Sequence, residues 1–69
     1  MNNQLDIFSR LEQIKKEIPS SWRQLAMRIG ITYPTIHNFI HGEQVSLLTL
    51  EKMNKYIKDY EKSTLESKD

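Results

Sequence analysis

With 69 residues, 28% of them charged and a formal net charge of +1, the chain has room for one compact domain and lacks the strongly basic balance that by itself marks a nucleic-acid binder. It contains no cysteine, which excludes a disulfide framework and a thiolate metal site and predicts a cytoplasmic setting. No apolar run approaches the roughly 20 residues that span a bilayer, and Met1-Asn-Asn-Gln-Leu-Asp is polar and acidic, unlike a secretory signal.

Charge distribution says more than the sum. Between Ile18 and Gly42 the only ionisable side chains besides Tyr33 are Arg23, Arg28, His37 and His41, and the acids fall before and after that stretch. One face of a nearly neutral protein can therefore be positive.

In chain order, Leu5, Phe8, Leu11 and Ile14 recur at spacings of three, predicting a first helix over residues 5–17 with these as its buried face. Pro19 stops that helix, since its ring cannot continue the hydrogen-bond ladder, and Ile18 is expected to stay buried as the chain turns. Ser21 followed by Gln24 is a capping-box pattern that opens a second helix. Its core face is Trp22, Leu25, Ala26 and Ile29, leaving Arg23, Gln24, Met27 and Arg28 outward or sideways. Gly30 supplies the left-handed backbone that ends the helix, with Ile31 reaching back to the core.

Thr32 is a predicted N-cap for a third helix over residues 33–41, with Pro34 in the first turn, where no intrahelical N–H bond is needed. Ile36, Phe39 and Ile40 form the buried side of this helix. Pro34, His37, Asn38 and His41 lie opposite, with Tyr33 and Thr35 on the flanks. Gly42 ends it. Ser46 caps a fourth helix whose face is Leu47, Leu50, Met53, Ile57 and Tyr60. Leu48 and Tyr56 fall off that face, as rim residues or as contacts with another subunit. Residues 63–69 form a polar tail expected to fray, so residues 1–62 constitute the domain, with residues 21–41 as its motif.

Leu25-Ala26, Gly30-Ile31, Ile36 and Phe39, followed by Gly42 and Ser46-Leu47-Leu48-Thr49-Leu50, resemble the helix-turn-helix domain of the phage lambda repressor and Cro family over about residues 8–57. The resemblance implies an all-α, compact four-helix or five-helix lambda repressor-like fold whose third helix enters the DNA major groove. It further implies base contacts from Thr32, Tyr33, Pro34, Thr35, His37 and Asn38. Phosphate contacts are expected from Ser20, Ser21, Arg23, Arg28, His41 and Gln44. Trp22 stands where many members have a phosphate-contacting glutamine, so that contact does not transfer.

The chemistry of these types is compatible with base reading. Asn38 can pair bidentately with adenine, His37 can donate to guanine or phosphate, and Pro34 offers only an apolar surface, for instance to a thymine methyl. The expected function is a sequence-specific DNA-binding regulator, a repressor of phage or small-operon type, acting as a homodimer on a two-fold operator. Leu48, Tyr56 and Tyr60 are the candidate dimer contacts. The alternative is an adaptor or antitoxin-like module whose third-helix face meets a protein, motivated by the absence of Lys and Arg from that helix. His37 and His41 also have the spacing of a helical zinc pair, but no third ligand is in view. No metal, cofactor, small-molecule ligand or membrane partner is expected, nor is an enzyme, since no nucleophile, base and orienting group are arranged in the sequence.

Overall fold

The computed structural model describes residues 4–67. The described residues form four helices: α1 (Gln4–Glu17), α2 (Trp22–Ile29), α3 (Tyr33–Ile40) and α4 (Leu47–Ser67). None is long and apolar enough to cross a membrane. Part of the segment expected to fray is helical, because α4 continues to Ser67; Lys68 and Asp69 lie outside the described residues.

The core is drawn from all four helices: Ile7, Leu11 and Ile14, then Leu25, Ala26 and Ile29, then Ile36 and Phe39, then Met53 and Ile57. Phe8, Trp22, Ile31, Ile40, Val45, Leu50, Tyr56 and Tyr60 pack around it, half-buried. No polar or charged residue is buried among the described ones.

The expected face of α1 is corrected at its start. Leu5 is 74% exposed and Ile7 is fully buried. Each step of three residues falls short of a helical turn by about 60°, so a strict three-residue spacing carries Leu5 to the side opposite Ile14. Ile7, Leu11 and Ile14, spaced four and three, stay on one line.

Two further expectations are corrected. Ile18 is 39% exposed; its N–H still bonds to the Ile14 carbonyl at 2.9 Å, but the chain leaves the helix there and the side chain stays at the rim. Leu47 is 71% exposed. It opens the first turn of α4, and contact with the core begins one turn later, at Leu50.

The helix ends follow their sequence signals. Ser21 accepts a hydrogen bond from the Gln24 N–H at 3.1 Å, and Gln24 Oε1 accepts from the Ser21 N–H at 2.9 Å, completing the reciprocal cap. At the other end of α2, Gly30 has φ +93°, and the N–H groups of Gly30 and Ile31 both donate to the Ala26 carbonyl. Ser46 caps α4 by accepting from the Thr49 N–H at 3.2 Å. Trp22 is less deep than a core position: it stacks on Phe8 with ring centroids 5.8 Å apart and joins α2 to α1.

Side chains from opposite ends of the chain fix α1 against its neighbours. The Tyr60 hydroxyl donates to Glu17 at 2.7 Å, and Arg10 pairs with Glu61 at 3.3 Å. The Gln4 carboxamide donates to the Glu43 carbonyl and accepts from the Val45 N–H. The last two contacts tie the loop after α3 to the first turn of α1.

Candidate nucleic-acid interface

Because Ile36 and Phe39 are buried, the opposite side of α3 is turned outward: Pro34, His37 and Asn38 are exposed, and so is His41 just beyond the helix. Thr32 and Tyr33 are exposed at its start, Tyr33 by 37%. Thr35 is half-buried. Of the six residues expected to meet bases, Thr32, Tyr33, Pro34, His37 and Asn38 are exposed along α3 and its N-cap, and Thr35 is partly covered.

This surface is organised by planar groups. The Arg23 guanidinium, arriving from α2, lies 4.3 Å from the Tyr33 ring centroid. Tyr33 and His37 rings are 5.9 Å apart, and His37 and His41 rings 4.3 Å apart. No acid occurs between Ile18 and Gly42, so the row has no carboxylate within its own stretch of chain.

The start of α3 departs from the expected cap. Thr32 has the extended backbone of an N-cap residue, but its side chain makes no capping hydrogen bond. Its hydroxyl pairs instead with the Thr35 hydroxyl at 2.8 Å. One of the two hydroxyls must donate to the other, so the pair keeps a single O–H for an external acceptor. At the far end, the Glu43 N–H donates to the Asn38 carbonyl at 3.0 Å, and Gly42 turns the chain with φ +84°.

The residues expected to contact phosphates do not form one group. Arg23 and His41 lie on the row just described. Ser21 is exposed, its oxygen engaged as the α2 cap. Ser20 is corrected: its Oγ is buried and has no hydrogen-bond partner, so this hydroxyl is not presented to a ligand at the surface. Arg28 lines a hollow with Gly30, Lys52, Lys55 and Asp59, on the flank that α4 covers. There Lys52 donates to the Gly30 carbonyl at 3.4 Å. Gln44 is exposed on a shallow, largely apolar cleft of about 410 Å³ bordered by Leu5, Phe8 and Ile40.

Two of the three candidate dimer residues are occupied within the chain. Tyr56 and Tyr60 pack on the core, and Tyr60 also holds Glu17. Leu48 is 62% exposed and lies beside the exposed Leu47. The histidine spacing fits a metal chelate, yet among the described residues no group of three or more His, Cys, Asp or Glu could hold an ion.

Three contacts had no usable signal in the sequence. The Arg23–Tyr33 stack joins α2 to α3, and the Lys52–Gly30 contact joins α4 to the turn after α2. The Gln4 clasp acts across 39 positions. Each depends on the packed arrangement of helices, which no local pattern encodes.

Compared with family models, curated proteins and solved structures, the chain matches none.

Proposed function

We propose that the chain is a sequence-specific DNA-binding regulator in which α2 and α3 form a helix-turn-helix and α3 enters the major groove. The observation that carries this reading is the outer side of α3. It presents Tyr33, Pro34, His37 and Asn38 together on a stretch without acids, and α2 holds it through a left-handed turn at Gly30. In that arrangement Asn38 reads adenine by a bidentate pair, His37 reads a guanine edge or a phosphate, and Pro34 with Tyr33 packs on thymine methyls. No Arg or Lys on α3 reaches guanine, so recognition rests on A·T pairs and on duplex shape.

Register comes from Arg23, from the free N–H groups at the start of α2 near Ser21, and from His41 and Gln44 past the end of α3. A domain this small covers few base pairs, and a homodimer on a two-fold site gives the economical route to specificity. Repression follows from occupying a promoter.

Selection of bound duplexes from a random pool at low salt, followed by sequencing, tests the reading. The expected outcome is one enriched sequence with two-fold symmetry; a pool that stays random after several rounds overturns it. One observation favours a second reading, in which the same face meets a protein: α3 contains no Lys or Arg, and neutralised phosphates supply most of the affinity of DNA binders.

A further inference from the structure

Arg23 and Tyr33 belong to different helices, and the turn at residues 30–32 brings them together. The guanidinium carbon stands 4.3 Å from the ring centroid, inside the range in which a cation is attracted to the negative face of a ring. Among the described residues Arg23 forms no ion pair. Stacking occupies only the faces of the guanidinium, and its N–H donors project from the edge of the plane.

The first turn of α3 has no side-chain cap: Thr32 makes no capping hydrogen bond, its hydroxyl being paired with that of Thr35. Tyr33 is the first residue of that helix. It also begins the row that continues to His37 and His41.

We propose that Arg23 is a positioning and specificity-determining residue: its face braces Tyr33 and the start of α3, while its edge remains available to a phosphate. The proposal rests on the DNA-binding reading of α3 and assigns Arg23 a part that a simple phosphate contact lacks. A point charge at this position attracts DNA equally well on any sequence, whereas a brace acts only where Tyr33 and His37 meet particular bases.

Arg23→Lys separates the two parts, since an ammonium keeps the charge and loses the plane. Wild type, Arg23→Lys, Tyr33→Leu and the double variant are compared on the selected duplex and on a scrambled one across a salt series. Arg23→Lys is expected to hold its affinity for the scrambled duplex and its salt slope, and to lose about three- to fivefold on the selected duplex. Tyr33→Leu should lose at least as much, and the double variant no more than Tyr33→Leu alone, because the contact is already gone.

Nuclear magnetic resonance of the free protein gives a readout independent of DNA. The Arg23 δ-methylene protons should be shifted upfield by the tyrosine ring and return to ordinary values in Tyr33→Leu. Unshifted protons in the wild type overturn the brace. Equal losses for Arg23→Lys on both duplexes, no loss on either, or additive losses in the double variant overturn the specificity role alone. Failure of the wild type to select any sequence overturns the DNA reading together with that role, while the ring-current shift still reports the contact.

Discussion

Glu17 accepts hydrogen bonds from the Tyr60 hydroxyl at 2.7 Å and from Gln13 at 3.1 Å. These two donors, Tyr60 first, hold its carboxyl below the ordinary value of 4.5, against a smaller opposing effect of desolvation. A lowered folded-state value stabilises the fold above the ordinary carboxylate range, and this contribution disappears as pH falls through the lowered value. Tyr60→Phe should therefore melt earlier than wild type near neutral pH, with the gap closing on acidification. Thermal melts of both proteins at a series of pH values check this; a gap that does not change with pH assigns the effect to packing. At Asn38 the expected effect is on recognition. Asn38→Ala should leave the melting midpoint near wild type and remove about 1–3 kcal/mol of discrimination at one A·T position, measured on duplexes substituted base by base.

At the scale of elements, the two ends of α2 fail in different ways when altered. Ser21→Ala deletes one half of the reciprocal cap, at a cost of about 1 kcal/mol. Gly30→Ala meets no atom within 4 Å of the new Cβ, so its cost comes from the left-handed backbone at φ +93°, about 1–2 kcal/mol. In a domain of this size each kcal/mol lowers the midpoint by about 4–8 °C, and calorimetry on both variants measures it. A Gly30→Ala protein as stable as wild type would mean that the turn can relax away from that conformation.

The same elements show what could be read from the sequence and why. The boundaries of α2 and α3 were legible because Ser21, Gln24, Gly30, Pro34 and Gly42 act through local backbone chemistry. The buried side of α3 was legible because Ile36 and Phe39 are spaced by a helical turn. The faces of α1 and α4 were legible in the middle and misread at the ends: the three-residue spacing carries Leu5 round to the side opposite Ile14, and Leu47 keeps the period of α4 one turn before contact with the core begins. Within the candidate site, the outward set on α3 follows from that same spacing. The inward turn of the Ser20 hydroxyl and the placing of Arg23 on Tyr33 depend on contacts between elements, which no single-helix pattern contains.

At the scale of the whole molecule, charge and exposed apolar surface set how the protein meets partners. Few cations flank α3, so the proposed complex should release few counterions. The logarithm of affinity against the logarithm of salt concentration is expected to fall with a slope shallower than about −8 per dimer, measured by titration at several salt concentrations; a steeper slope would place more phosphates on the protein than this surface can neutralise. Leu47 and Leu48 are both exposed at the start of α4, and Leu48 is the candidate dimer contact that stays free once Tyr56 and Tyr60 are found packed against the core. Leu48→Glu should shift a dimer toward monomer in sedimentation equilibrium with the helical content intact. An unchanged mass distribution would move the interface elsewhere.

The clasp of Gln4 on residues 43 and 45 has a practical consequence. The Val45 amide proton is held by a side chain from the opposite end of the sequence, so its exchange with deuterated solvent reports whether the first turn of α1 is closed on the loop beyond α3. Any ligand that engages His41 or Gln44 and steadies that loop should slow this one proton. The molecule thus supplies a label-free sensor of occupancy next to the surface proposed for binding.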